Sequence, residues 1–180
     1  MRIVAGQWRG RNVVAPKGDT TRPTADRTRE TLFNMLASRL GSFDELRIAD
    51  LFAGSGALGL EALSRGAAHC HFVEHEPAAI KAIKANIDTF EARRRTEVTQ
   101  GSVMTLGPAR EPFDLLLLDP PYDTGAGAVA LDRLQRMGWI GPSTWMVVET
   151  SAKESVEVNG LTLDAERKVG KAKLTFLRLE

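Results

Sequence analysis

Residues 50–63 of the 180-residue chain read "DLFAGSGALGLEAL", and this stretch decides the fold. Gly54, Gly56 and Gly59 fit G-x-G-x-x-G, a turn in which missing side chains let backbone amides approach a nucleotide cofactor. Before it, Arg47–Phe52 reads as a short strand carrying Asp50 near its end. After it, Leu58–Arg65 is helical up to Gly66. Strand, glycine turn and helix start together make a ligand-holding corner at the carboxyl ends of a parallel sheet.

Outward from that corner, strands and helices alternate. His69–Glu74 is strand-like, and Pro77 opens a helix whose Ile80, Ile83, Ile87 and Phe90 form one apolar stripe. Glu97–Gln100 is a short strand, and Phe113–Asp119 a fully buried one, since nothing polar interrupts its leucines. Gly125–Met137 reads as a helix and Trp145–Thr150 as a further strand. Upstream, Leu32, Phe33, Leu36 and Leu40 recur at helical spacing, with Thr24 as the expected N-cap and Gly41 as the stop. The two ends read as hairpins: "MRIVAGQWRGRNVVAP" about a glycine turn, and "LTLDAERKVGKAKLTFLRL" about Gly-Lys. Helical crossovers predict an α/β fold, a doubly wound, mostly parallel seven-stranded sheet with a small hairpin at each end. One domain is expected over 1–180, divided into a basic arm (1–22) and a catalytic body (23–180).

Composition narrows the setting. Apolar residues make up 43% of the chain and charged ones 26%, as in an ordinary globular domain that buries roughly 70% of its unfolded surface. Cys70 is the single cysteine, which rules out an internal disulfide and fits a reducing compartment. The first twenty residues hold Arg2, Arg9, Arg11 and Lys17 without an apolar stretch, and the longest aliphatic run, Leu115–Leu118, is too short for a membrane span. A cytoplasmic protein without membrane contact, monomeric in solution, is the expectation. The net charge of +1 conceals +5 within residues 1–40 and −4 in the remainder, which suggests an anionic partner at one end.

Two adenosine-containing cofactors suit the glycine turn. Glu74 follows Gly54 by twenty residues, where a carboxylate can accept hydrogen bonds from ribose hydroxyls of either NAD or S-adenosylmethionine. Asp50 separates them: a carboxylate there repels a pyrophosphate by about 1–4 kcal/mol for unit charges near 4 Å, but attracts an ammonium and a sulfonium. The sign of that side chain favours S-adenosylmethionine. Asp50, Phe52, Gly54, Ser55 and Gly56 form D-x-F-x-G-x-G, which resembles the first motif of S-adenosylmethionine-dependent methyltransferases and implies a Rossmann-like class I fold with these residues lining the cofactor.

The second constellation is Asp119-Pro120-Pro121-Tyr122, reached directly from the leucine strand. Two prolines fix φ and remove two N–H donors, leaving a stiff loop of acceptors. Methylation of an exocyclic amine needs such a loop. If the Asp119 carboxylate and the Pro120 carbonyl accept the two N–H hydrogens, the nitrogen lone pair is drawn out of conjugation and can face a methyl group. Tyr122 offers a face on which an unstacked base gains about 1–3 kcal/mol. The tetrapeptide closely matches [D/N]-P-P-[Y/F] of amino-group methyltransferases.

Further blocks extend the likeness over residues 2 to 179. "RIVAGQWRGR", "RPTADRTRETLFNML", "DLFAGSGALGLEALSRGA", "LLLDPPY" and "KVGKAKLTFLRL" resemble the bacterial 16S rRNA guanine-N2 methyltransferase family. The resemblance implies methylation of one guanine in small-subunit rRNA, within an assembled or partly assembled subunit. It also implies that Thr24 meets the methionine end of the cofactor. Where the family tends to place Asp or Asn for the adenine amine, this chain has Ser102 before Val103, so that contact is expected to be weaker or made by backbone. At the front end, Trp8 between Arg9 and Arg11 suits phosphate contact and stacking on loop nucleotides, while Arg22 and Arg27 lie near a helix start that favours anions.

Other readings stay open at this stage: methylation of adenine in DNA or RNA, or of a protein glutamine; an NAD-dependent oxidoreductase; a non-catalytic RNA-binding assembly factor. No metal is expected. In "HCHFVEH" the strand places His69 and His71 on one face and Cys70 on the other, and neither zinc spacing occurs.

Overall fold

Helical and extended segments alternate from residue 23 onward as the apolar pattern changes period, with glycine or proline at most of the boundaries. The computed structural model describes residues 1–17 and 23–180. In order, the elements are α1 (Pro23–Leu40), β1 (Arg47–Leu51), α2 (Ala57–Ser64), β2 (His69–Glu74), α3 (Pro77–Thr89), β3 (Thr96–Gln100), β4 (Leu115–Leu118), α4 (Ala126–Arg136), β5 (Trp145–Ser151), β6 (Leu161–Val169) and β7 (Ala172–Leu179). The strands form one seven-stranded sheet in the order β3-β2-β1-β4-β5-β7-β6. The first five in that order are parallel, and β7 and then β6 join antiparallel to their neighbours. The chain steps from β1 outward to β3, then returns to the other side of β1 as β4. The switch point of the sheet therefore lies between β1 and β4, where a crevice opens beyond the carboxyl ends of the strands.

Alternation along each strand divides the core. Ile48, Phe72, Leu115, Leu117 and Phe176 face a layer formed by α1, α2 and α3, whereas Leu51, Val73, Leu116, Leu118 and Leu177 face α4 and the loops around Trp139. Because β4 packs on both faces, all four leucines are buried, as its uninterrupted apolar run predicts.

Four details differ from the sequence expectations. The C-terminal hairpin is not an appendage, since β7 inserts between β5 and β6 and completes the sheet. The expected strand at 113–119 shortens to Leu115–Leu118, with Asp119 released into the loop. Helix α1 starts at Pro23, which places Thr24 inside the first turn instead of at the N-cap. Among its described residues the N-terminal arm carries a single β-bridge, Arg2 with Asn12, in place of two full strands; backbone hydrogen bonds of Ile3 with Gly10 and Arg11 and of Val13 with Met1 close it, and it docks on the body. Its Val4 and Ala5 amides donate to the fully buried Glu61 carboxylate at 2.8 and 3.1 Å. Farther along, Val14 exchanges two hydrogen bonds with the buried Asn86 side chain, whose Nδ2 also donates to the Ser55 carbonyl.

Candidate active site

Both constellations lie at the switch point. Leu51 pairs with Leu118 across β1 and β4, so the glycine loop and the Asp119 loop leave the sheet side by side. The Asp119 amide donates to the Leu51 carbonyl at 3.3 Å.

Local backbone geometry explains the glycines. Gly56 caps α2 in the left-handed region, with φ of 82°, where a side chain is strained. Gly59 is required by contact: an added Cβ would lie 2.5 Å from Phe72 Cε1 and 2.6 Å from Cys70 Sγ. Helix α2 can thus approach β2 only because residue 59 lacks a side chain. Phe52 also takes a left-handed conformation, φ 60°, as the chain turns out of β1.

Two carboxylates hold this corner. Glu74 is buried; its Oε1 accepts from the Gly54 amide at 2.9 Å, and its Oε2 accepts from His75 and Glu76 at 3.0 and 2.8 Å. Asp50 is 1% exposed, and its Oδ2 accepts from the Gly59 amide at 2.9 Å, inside the first turn of α2. Burial raises its pKa from the ordinary 3.8 to about 8; the Gly59 hydrogen bond opposes that shift and the Glu74 charge adds to it. This corrects the simple picture of a charged acid awaiting a cation. Near neutral pH the carboxyl is largely protonated in the ligand-free protein, and one oxygen already anchors a helix.

S-adenosylmethionine fits what remains. Among the described residues the buried Asp50 Oδ1 has no hydrogen-bond partner, and a Cβ at Gly54 would meet nothing within 4 Å, so the loop is open there to a ligand. The neighbouring residues divide. Ser55 is buried, and its carbonyl accepts from Asn86. Ser102 is exposed, and its Oγ accepts from the Met104 amide at 3.1 Å; the Val103 side chain is 3% exposed and belongs to the core. Arg22 and the side chain of Thr24 lie outside the described residues.

On the opposite side of the crevice, Pro120 is buried while Asp119, Pro121 and Tyr122 are exposed. Tyr122 is 42% exposed, and its hydroxyl donates to Glu149 Oε2 at 2.5 Å. Thr124 Oγ1 donates to the Pro121 carbonyl at 2.7 Å. Asp119 touches solvent along the crevice, yet protein atoms crowd the rest of it. Loss of hydration, then repulsion from Glu149 and the more distant Asp50, pushes its pKa well up. Glu149, at the end of β5, was not among the sequence-expected site residues. A signal for it exists: "MVVE" repeats the pattern of an apolar strand ending in an acid seen in "RIAD", "HFVE" and "LLLLD".

The arm corrects one expected contact outright and reduces another. Trp8 is 5% exposed and stacks on Phe90 with ring centroids 4.6 Å apart, so it is core and not a platform for RNA. The Arg11 guanidinium lies 4.6 Å over Phe90 and donates to the Thr89 carbonyl. Arg9 and Arg27 are exposed. In the "HCHFVEH" stretch, His71 Nε2 is 2.7 Å from Thr99 Oγ1 and the ring packs on Trp139.

Known proteins resemble this chain in sequence and in fold. The ribosomal RNA small subunit methyltransferase D of Escherichia coli (strain K12) is 36% identical over 156 residues, 87% of this chain and 77% of that protein. The protein of the same name from Haemophilus influenzae is 35% identical over 175 residues, 94% of this chain and 89% of that one. The solved structure of the methyltransferase yhhF from Escherichia coli superposes with a TM-score of 0.86 at 34% identity, covering 100% of this chain and 98% of the other. At 12% identity, the magnesium protoporphyrin IX methyltransferase of Synechocystis with bound S-adenosylmethionine has the same fold, at a TM-score of 0.69 over 91% of this chain and 87% of that one. The family model described as Conserved hypothetical protein 95 matches residues 1–178, and the chain belongs to that family, on a methyltransferase fold.

Proposed function

We propose that the protein methylates the exocyclic N2 amine of a guanine in small-subunit ribosomal RNA, with S-adenosylmethionine as methyl donor. The observation that carries this reading is the adjacency at the switch point. An acid-lined glycine corner and a stiff loop of acceptors leave neighbouring strands within one crevice. The ribosomal RNA methyltransferases that resemble this chain supply the substrate class.

The donor brings an electrophilic methyl group on a positively charged sulfur. The chain supplies placement. Asp50 Oδ1 and the Gly54–Gly56 backbone would hold the methionyl end, with Phe52 and Ser55 beside it and Thr24 closing over it. Glu74 would hold the ribose; Ser102 and Val103 would border the adenine. Across the crevice, Asp119 and the Pro120 carbonyl accept the two N–H hydrogens of the target amine, Pro121 stiffens the turn, and Tyr122 stacks on the base. No strong general base is needed, since a methylated aryl-ammonium is acidic enough to lose its proton to water or a nearby carboxylate. Arg9, Arg11, Arg22 and Arg27 would meet the RNA backbone. The substrate would be an assembled or partly assembled subunit in the cytoplasm, met by a monomer. Among the described residues, no helix is long and apolar enough to cross a membrane.

Mass spectrometry of small-subunit rRNA from cells lacking the protein tests this reading. One N2-methylguanosine should disappear and return on complementation. An unchanged set of methylguanosines overturns it. Parallel incubation of the purified protein and labelled S-adenosylmethionine with subunits, DNA or release factor should label only the subunits.

A further inference from the structure

The loop that carries Tyr122 is fastened at three points, two on the end of β5 and one on the turn that follows it. Tyr122 Oη donates to Glu149 Oε2 at 2.5 Å, Ser151 Oγ donates to Asp123 Oδ1 at 2.6 Å, and the Asp123 amide donates to Glu154 Oε1 at 2.6 Å. Asp123 itself has a φ of 59°, a left-handed conformation that costs about 1–2 kcal/mol and persists only where surrounding contacts impose it. The turn after the two prolines is therefore held by β5.

Register places Glu149 beside Asp119. Leu118 pairs with Val148 in the parallel ladder between β4 and β5, and one residue further on the two acids stand side by side on the same face. A phenol-to-carboxylate distance of 2.5 Å is that of a charge-assisted bond to an ionised acceptor. Two adjacent carboxyls ionise in steps, the first to lose its proton disfavouring the second. Burial pushes both carboxyls up, and at Glu149 the Tyr122 and Asp119 hydrogen bonds oppose that rise. The charge of the pair accordingly rests on Glu149, behind the group that faces the substrate.

We propose that Glu149 is the positioning residue of the amine site, fixing the Tyr122 ring through its hydroxyl and backing Asp119 as the carboxylate that takes up the proton lost by the methylated amine. This inference rests on the amine-methylation reading above. The amine lone pair forms the new N–C bond as the S–C bond breaks and its electrons remain on sulfur. The cationic nitrogen then loses an N–H proton to the Asp119–Glu149 pair, whose single negative charge is neutralised until water removes the proton. Groups facing the pair are Tyr122 from the loop and Asp50 from β1 at longer range, with Asp123 and Glu154 at the far end of the fastening. Strand β7 presents Leu174 opposite Glu149, and Lys173 turns its Nζ toward Glu166 at 3.6 Å.

The test uses the full chain and small subunits purified from cells lacking it. Wild-type protein is assayed first, because absence of N2-methylguanosine there would sink the amine-methylation reading irrespective of Glu149. With wild-type activity in hand, Glu149→Ala should lower kcat about 10- to 100-fold while S-adenosylmethionine affinity by calorimetry stays within twofold. Tyr122→Phe should lower kcat about tenfold, and the double variant should be no slower than Glu149→Ala alone, because both changes break one contact. Glu149→Gln keeps the shape and removes the carboxyl on which the pair's charge rests, so the acid limb of its kcat profile should shift as Asp119 becomes the sole proton acceptor. A kcat within twofold of wild type for Glu149→Ala, losses that multiply in the double variant, or a Glu149→Gln profile superimposable on wild type would each overturn the assignment. Should Glu149→Ala lose the cofactor through misfolding, the Glu149→Gln profile alone decides.

Discussion

At the end of β1, nearly every polar group of the glycine loop is paired within the protein. Gly54 donates to Glu74, Gly59 donates to Asp50, and the Ser55 carbonyl is taken by Asn86. At the end of β4, one strand away, the Asp119 carboxyl, the Pro121 ring and the Tyr122 face are exposed, and the fastening comes from β5 behind them. The same sheet edge thus carries one corner whose hydrogen bonds are complete but for Asp50 Oδ1 and one whose acid, proline and tyrosine remain exposed. A cofactor corner of the first kind gains affinity from preorganisation, because little must be ordered on binding. A substrate corner of the second kind leaves its acceptors for the transition state, where they raise turnover and not merely affinity.

Asp119→Ala should separate the two corners most sharply. Removing a preorganised acceptor at the reacting nitrogen is expected to lower kcat about 10²-fold or more. S-adenosylmethionine affinity should survive, because no glycine-loop amide is bonded to Asp119. Calorimetry showing affinity lost in parallel would contradict the division.

The reciprocal change is Glu74→Ala. It deletes an acceptor shared by three amides, including that of Gly54. Hydrogen bonds to a charged group contribute about 1.5–3 kcal/mol, so cofactor affinity should fall about 10- to 100-fold. At saturating cofactor, kcat should change far less, and a collapse of kcat with unchanged affinity would place Glu74 in the other corner.

How much of this was legible in the sequence follows the same division. Gly54, Gly56, Gly59 and Glu74 were visible because they act within one strand-turn-helix unit, where spacing carries the geometry. Asp119 and Tyr122 were visible because two prolines leave few conformations between them. Glu149 was not, since its partner lies 27 residues away and only the register of β4 against β5 brings them together. Glu61 and Asn86 escaped for a related reason: an acid and an amide in helices read as solvated, and only docking of the arm buries them. Trp8 misled in the opposite direction. An aromatic between cations reads as an RNA platform until Phe90, 82 positions away, is found stacked against it.

Asp50 makes the comparison pH-dependent. With a folded pKa of about 8 against an ordinary 3.8, the native state binds more protons than the unfolded chain throughout that interval. Stability from this group is greatest below pH 4 and declines as pH rises toward 8. A cationic ligand prefers the ionised form, so S-adenosylmethionine affinity should rise by up to tenfold per unit between about pH 6 and 8, then level off. Asp50→Asn should flatten both dependences. A wild-type affinity constant over that range would show that the cation does not sense this carboxyl.

Gly59→Ala tests whether the cofactor corner depends on packing. Its new methyl would overlap Phe72 and Cys70, and forcing a carbon into a filled core costs about 1–3 kcal/mol. Thermal unfolding should shift down by about 2–4 °C for each kcal/mol. Unchanged melting would mean that α2 can move away from β2 without loss.

The smallest effect is expected at the arm, where neither corner is touched. Arg9 is exposed, and Gly10 beside it turns the chain with φ of 83°. If Arg9 meets one phosphate of single-stranded RNA, Arg9→Gln should weaken binding by a few fold at moderate salt. The slope of log affinity against log salt should also shrink by about 0.7, the contribution of one neutralised phosphate. Arg11 makes a useful contrast, because its guanidinium already lies on Phe90 and donates to the Thr89 carbonyl. Arg11→Gln should therefore cost some folding stability in addition to any RNA contact, and Arg9→Gln none. Equal salt slopes for wild type and Arg9→Gln would remove Arg9 from the RNA interface, and equal slopes for Arg11→Gln as well would leave docking on Glu61 and Asn86 as the role of this turn.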